Sequence, residues 1–409
     1  MNNNLIIKNA RLVETDEIID IIINNGIISE ICRSEPAWPP VEKNCDINII
    51  DAECNYISAG FIDLHTHLRD PGLTYKEDIE SGTKSAIKGG ITALCCMPNT
   101  NPVIDNPDLI KYILENKNKA HCNIFPVGAI TKSQKGEELT DFAGLKKAGA
   151  MALSDDGKPV ENYDLMREAL IKSKENNILI MSHCEDLSLT GNESEDKITK
   201  RDIYLACETG ARLHICHVST GNSAGYIAEA KNQGFNITAE TCPHYFVLTD
   251  EDITKYGVNA KMNPPLRSTE DKEKIIEAIK SGAIDCISTD HAPHSLEDKN
   301  AGVNGITGVE TSFALGVTYL VKQNHITLKK LIELMTINPA KIIGIDDKYG
   351  TIEVGKAADF VIFNTDKKFI YDKNKSYSKS RNTPFHGFKF YGKVLYTIVN
   401  GNMVYENDD

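Results

Sequence analysis

Eight short apolar runs alternate with amphipathic, Lys/Glu-rich segments between residues 60 and 290, and that alternation leaves the chain few folds to choose from. The runs are 61–65, 91–97, 122–127, 150–154, 178–183, 212–217, 236–241 and 285–290; helix-like stretches lie at 75–88, 107–119, 137–147, 162–176, 200–209, 222–233 and 269–280. A strand covered on both faces reads as a continuous apolar run, and strands that alternate with helices pair in parallel. Eight such units over about 250 residues predict an α/β fold, a closed TIM-like (β/α)8 barrel. An open doubly wound sheet is the alternative, but no glycine-rich phosphate loop follows the first strand. Ser268-Thr269-Glu270-Asp271 and Thr327-Leu328-Lys329-Lys330 read as helix starts. Further helices are expected at 308–322, 327–336 and 339–343.

Both ends of the chain read as β. Leu5-Ile6-Ile7-Lys8-Asn9, the runs 18–23 and 27–32 joined by an Asn25-Gly26 hairpin turn, 47–51 and Tyr56-Ile57 precede the barrel. The stretch 33–46, with Pro36, Pro39 and Pro40, reads as loop. After the barrel come Gly350-Thr351-Ile352, 359–363, 394–399 and, past an Asn400-Gly401 turn, Met403-Val404-Tyr405. The expected division is a composite β domain of 1–58 plus 350–409 and a barrel domain of 59–349.

No apolar run approaches the roughly 20 residues of a membrane span, and Met1-Asn2-Asn3-Asn4 lacks the basic and apolar regions of a signal peptide. The eleven cysteines have no regular spacing and sit mostly in apolar runs, so they read as small buried hydrophobes in a reducing compartment, and a cytoplasmic location is expected. Cys184, directly after a candidate ligand, is the one to watch. The net charge of −13 argues against a nucleic-acid surface, and it means that an anionic substrate needs local positive charge to enter.

In such barrels the functional groups stand at the C-terminal strand ends. His65 and His67, two apart on a strand, face one side, and Arg69 follows at the same spacing. Asn99 follows the second run, Asp155-Asp156 the fourth, His183 the fifth, His217 the sixth, and Asp290, His291 and His294 the eighth. Imidazole and carboxylate together suit Zn²⁺ or a similar divalent ion, and four histidines with two aspartates suit two ions sharing a bridging carboxylate. The chemistry implied is metal-assisted hydrolysis of an amide-like bond, or its reversal, with Asp290 placed both to ligate and to shuttle a proton. Strand physics alone does not separate Asp155 from Asp156 as the bridge.

The stretches Asp63-Leu64-His65-Thr66-His67-Leu68-Arg69-Asp70-Pro71-Gly72, Met97-Pro98-Asn99-Thr100-Asn101-Pro102, Ser154-Asp155-Asp156-Gly157, His183-Cys184-Glu185-Asp186, His217-Val218-Ser219-Thr220, Lys261-Met262-Asn263-Pro264-Pro265-Leu266-Arg267 and Thr289-Asp290-His291-Ala292-Pro293-His294 occur in that order. Through them the chain resembles the cyclic-amide branch of the amidohydrolase superfamily, and within it the class I dihydroorotases. The resemblance spans essentially the whole chain. It implies two zinc ions, one on His65, His67 and Asp290, the other on His183 and His217, with Asp156 bridging. It implies reversible cyclisation of N-carbamoyl-L-aspartate to (S)-dihydroorotate and water, in pyrimidine (UMP) synthesis. His67, Arg69, Asn99, Asn263 and His294 would hold that substrate, Arg69 offering a planar fork to its unreactive carboxylate. The resemblance gives His244 no ligand role. Two rim stretches are shorter than such a family member is expected to have: the one containing Gly191-Asn192-Glu193-Ser194-Glu195-Asp196, and the one before Gly308, where Asn304-Gly305 stands for a Phe-Gly-like substrate contact. Two other readings stay open. One is a dihydropyrimidinase, hydantoinase or allantoinase, whose substrates lack the carboxylate. The other is a non-catalytic partner of aspartate transcarbamoylase; homodimerisation is a further form of assembly to be tested.

Overall fold

The computed structural model describes residues 4–33 and 48–407, so most of the expected 33–46 loop lies outside the described residues. The eight apolar runs all form strands: β6 (Phe61–Thr66), β7 (Ile91–Cys96), β8 (Asn123–Gly128), β9 (Ala152–Leu153), β10 (Leu179–Ser182), β11 (Leu213–Ile215), β12 (Ile237–Thr241) and β13 (Cys286–Ile287). They pair in sequence order, all in parallel. The barrel closes through a parallel bridge between Thr66 and His291, where the His67 amide donates to the His291 carbonyl at 2.9 Å. Buried Asp63 ties the same seam, accepting from the Thr289 amide at 3.0 Å and from its hydroxyl at 2.6 Å.

Alternate positions on the strands serve different layers. Phe61, Leu94, Leu153, Ile180 and Leu213 pack with the surrounding helices, while Ile62, Leu64, Ala93, Cys95, Ala152, Met181, Cys216 and Cys286 form another cluster inside the barrel. Small side chains suit that narrow interior, which accounts for several of the cysteines. The ten described cysteines are all free. Cys184 is buried, and burial holds its thiol well above the ordinary range, so it packs rather than reacts.

Strands from both chain ends form a second sheet. It contains β1 (Leu5–Leu12), β2 (Ile18–Asn24), β3 (Ile27–Arg33), β4 (Asn48–Asp51), β5 (Tyr56–Ala59), β14 (Phe360–Asn364), β17 (Lys393–Val399) and β18 (Asn402–Glu406). Its order is β18-β17-β14-β5-β1-β2-β3, with β4 pairing to β1, around a core of Ile7, Ile21, Ile57, Phe360 and Ile398. The chain passes from β5 into the barrel through Gly60, where a Cβ would stand 2.1 Å from the Thr92 hydroxyl oxygen. Only glycine fits that joint.

Some local expectations fail. Gly350-Thr351-Ile352 is not a strand: Gly350 has φ +87° and packs against Ala340 and Ile337, making a turn. Asn192–Asp196 is not part of a rim loop but the first turn of the helix Asn192–Thr209. The 308–322 helix is a short α turn, Ser312–Leu315, that widens over Gly316–Val321. A small antiparallel pair of β15 (Phe369–Ile370) and β16 (Lys389–Phe390) lies in a stretch with no strand expectation. No helix among the described residues is long and apolar enough to cross a membrane.

Asp359 sits where the sheet meets the barrel, accepting from the Asn400 amide at 2.6 Å and the Asn123 side chain at 2.7 Å. Burial lifts its carboxyl to about 7. The folded chain therefore holds a proton that the unfolded chain releases near pH 4, so this group's contribution to stability is lost as pH rises towards 7. Asp359→Asn removes that titration. Melting both proteins from pH 4 to 8 is expected to show the stability difference moving in the variant's favour up to about pH 7 and flat above it, by at most about 4 kcal/mol. A difference independent of pH would refute the assignment.

Candidate metal centre

The rim gathers its residues by short reaches from the strand ends. His65 is the fifth residue of β6 and His67 lies one residue beyond it; His183 directly follows β10. Arg69, His217 and Asp290 adopt left-handed backbone, at φ 60°, 37° and 46°. Non-glycine residues rarely occupy that region, and three at one rim mark a place where side-chain direction outweighs backbone comfort.

Asp156 is the hub. Its carboxylate lies 3.3 Å from His65 Nε2, 3.4 Å from His67 Nε2, 3.3 Å from His183 Nδ1 and 3.4 Å from His217 Nε2. Asp290 Oδ1 lies 3.0 Å from His67 Nε2 and 3.7 Å from His65 Nε2. Asp155 faces elsewhere: it accepts from the Ile130 and Thr131 amides at 2.8 and 3.1 Å and from the Thr131 hydroxyl. Geometry thus separates the two aspartates that strand physics left equivalent.

The outer ring nitrogens explain why the inner ones are available. His65 Nδ1–H donates to Glu240 at 2.8 Å, His67 Nδ1–H to the Asn99 carbonyl oxygen at 2.8 Å, and His183 Nε2–H to Glu185 at 3.0 Å. In those tautomers the inner nitrogens of His65 and His67 present lone pairs to carboxylate oxygens, a repulsive arrangement unless a cation lies between them, while the inner His183 Nδ1 lies 2.9 Å from His217 Nε2. His65 Nε2 is buried with no hydrogen-bond partner. His65, His67 and Asp290 form one group with ligand atoms within 4.8 Å of one another, and His65, Asp156 and His217 another. This donor set fits divalent metal. With protons in place of metal, burial opposes charge on His183, but Asp156 and Glu185 outweigh it and lift the ring to about 9. Burial likewise opposes ionisation of Asp156, yet the surrounding imidazoles hold it well below the usual carboxylate range.

Arg69 stands beside this cluster. It is 8% exposed, and among the described residues no carboxylate lies within ion-pair distance of it. Its Nε donates to the Pro293 carbonyl at 3.3 Å and its Nη2 to His294 Nε2 at 3.2 Å. The obvious acidic neighbours are engaged elsewhere: Asp70 accepts from the Tyr112 hydroxyl, and Glu77 from Ser81 and Ser378. Burial lowers the guanidinium to about 10. Burial, with Arg69 and Lys76 close by, pushes His294 down to about 3, so that ring is neutral. Lys76 Nζ lies 3.2 Å from its other nitrogen. Lys76 is paired with Asp298 at 3.3 Å, so Arg69, with no ion-pair partner among the described residues, is the cation left to give this acidic chain the local positive charge that an anionic substrate requires.

Asn99 also reaches Asp156, at 3.4 Å, and Asn263 donates to Glu185 at 3.0 Å. Gly305 has φ +131° and lies so close to His294 that a Cβ would stand 3.0 Å from the ring; Asn304 beside it is exposed. The Lys299 ammonium donates to the Lys261, Val303 and Gly305 carbonyls, tying this loop to the segment that carries Asn263. His244 is buried against Tyr245 and belongs to neither metal group, and His291 serves the barrel seam, 3.5 Å from Glu77. Sequence reasoning missed Glu240, Glu185 as a histidine partner, and Lys76. An acid inside a buried run, as in Ile237-Thr238-Ala239-Glu240-Thr241, was the available signal for the first.

Convergent imidazoles and carboxylates at the C-terminal rim of a (β/α)8 barrel define the class of barrel hydrolases built around a metal centre. Residues 56–404 match the model of the amidohydrolase family. The chain is 46% identical to a dihydroorotase of Acetivibrio thermocellus over 428 positions, covering 98% of each chain, and 44% identical to one of Clostridioides difficile, covering 98% of this chain and 99% of that one. The first alignment is longer than the 409-residue chain, so gaps fall on this chain's side of it. Among solved structures, an L-hydantoinase (dihydropyrimidinase) from Arthrobacter aurescens superposes with a TM-score of 0.90 at 26% identity, covering 100% of this chain and 97% of that one. The chain belongs to the amidohydrolase family, and within it to the dihydroorotases.

Proposed function

We propose that this chain is a cytoplasmic zinc enzyme that interconverts N-carbamoyl-L-aspartate and (S)-dihydroorotate plus water in pyrimidine synthesis. Two zinc ions would be held, one by His65, His67 and Asp290 and one by His183 and His217, with Asp156 shared. When bound, such ions supply Lewis acidity to the carbonyl and an activated water. Asp290, at the edge of the group beside His67, would carry the proton between the nucleophile and the ring nitrogen. Arg69, Asn99 and His294 would hold the unreactive carboxylate, while Asn263 would bond the ring amide. His67 would also border the substrate, and Asn304 and Gly305 would close the side next to His294. We further propose the division into a barrel at 59–349 and a β domain at 1–58 plus 350–409.

The observation that carries this reading is Arg69, a buried guanidinium with no carboxylate of its own. The hydantoinase reading draws on the structural likeness, but its substrates leave that cation without a partner. Metal analysis combined with a dihydroorotate hydrolysis assay tests the proposal: about two zinc ions per chain and turnover are expected. Robust hydantoin or allantoin hydrolysis instead would overturn it. Metal without any turnover would favour a non-catalytic partner of aspartate transcarbamoylase.

A further inference from the structure

Beneath the rim, inside the barrel, Glu240 accepts from a histidine and a serine and lies beside a second histidine. The side chain is 0% exposed. Its Oε1 accepts from His65 Nδ1–H at 2.8 Å; its Oε2 accepts from the Ser288 hydroxyl and lies 3.3 Å from His214 Nε2. His214 is anchored in turn, its Nδ1 lying 2.9 Å from the Thr238 hydroxyl. Neither carboxylate oxygen is free to turn away, and Lys and Arg are absent from its ion pairs among the described residues. A carboxylate buried this deeply without a permanent cation is costly unless positive charge arrives nearby.

The other two anchored imidazoles are held less firmly. Asn99, behind His67, is a neutral amide, and Glu185, behind His183, keeps 23% of its side chain exposed. We infer that Glu240 is a positioning residue that acts through His65 to set metal affinity at the His65–His67–Asp290 position, with the Ser288 hydroxyl fixing the carboxylate in place. It keeps the proton on Nδ1, leaves the Nε2 lone pair aimed at the ion, and adds electron density to the ring. This inference rests on the metal sites proposed above.

The test is chelator competition on the zinc-loaded protein, comparing wild type with Glu240→Gln and Glu185→Gln. Loss of a supporting carboxylate typically weakens metal binding by about 10–100-fold. Glu240→Gln is expected to weaken binding in one of the two release steps by about tenfold or more, and Glu185→Gln in the other. If wild type holds two ions and Glu240→Gln releases them like wild type, this inference fails while the proposed function stands; if wild type takes up no divalent ion, the metal-site reading itself fails. Should Glu240→Gln not fold, ¹⁵N-histidine spectra of the zinc-loaded wild type decide: a protonated His65 Nδ1 supports the inference, and a protonated Nε2 overturns it.

Discussion

Asp156→Ala is expected to strip the protein of both metals, weakening each by more than the 100-fold or so that loss of a supporting group causes at most, and to abolish turnover. The reason is geometric. His65, His67, His183 and His217 each turn one ring nitrogen to within 3.3–3.4 Å of this single carboxylate. Without it, four imidazoles face one another around a hole, and any cation bound there loses the one anion common to both positions. Asp155→Ala is the matched control. It removes the acceptor for two backbone amides and the Thr131 hydroxyl, so about 1–3 kcal/mol of stability should go for the groups left unpaired, while metal stays bound. Zinc content per folded chain, with a melting curve for each variant, reads both. Two zincs retained by Asp156→Ala, or none by Asp155→Ala, would refute the assignment of the bridge.

That pair of aspartates shows where sequence stops. Consecutive residues past a strand end can each turn inward, and what decides between them is tertiary: the Ile130 and Thr131 amides, contributed by the loop after β8, capture Asp155 and leave Asp156 to the histidines. The barrel strands, by contrast, were legible because burial on both faces writes itself as an apolar run, and the histidines because they end those runs. Glu240 lies within such a run, next to its last residue, but its role depends on His65 from another strand, which no local pattern reveals. Asn192–Asp196 failed for a similar reason. Its composition is polar throughout, yet Glu195 is buried, receiving the Ser219 and Thr220 amides and pairing with Arg267 at 3.3 Å, so a polar stretch becomes a helix turn through contacts distant in sequence. Gly350 misled in the opposite sense: a β-rich flank suggested a strand where packing against Ala340 demands a turn.

Arg69→Ala is expected to lower kcat/KM for dihydroorotate by roughly 10³-fold, about 4 kcal/mol, with both zinc ions still bound. Arg69 makes its contacts to the Pro293 carbonyl and to His294, and no metal-group residue depends on it for a hydrogen bond. Its loss should therefore touch the substrate and not the ions. The free protein should not suffer. Burial already lowers the guanidinium to about 10, which means that holding this charge in place destabilises the empty site, and the variant's Tm is expected to equal or exceed that of wild type. Arg69→Lys keeps a charge but loses the planar fork, so it should recover only part of the activity. A cyclic amide lacking the carboxylate provides the sharpest contrast, because whatever slow hydrolysis wild type shows towards it should be unchanged in Arg69→Ala. Equal losses on both substrates would mean that Arg69 serves the metal chemistry rather than the carboxylate, and the choice of dihydroorotate over a hydantoin would lose its main support.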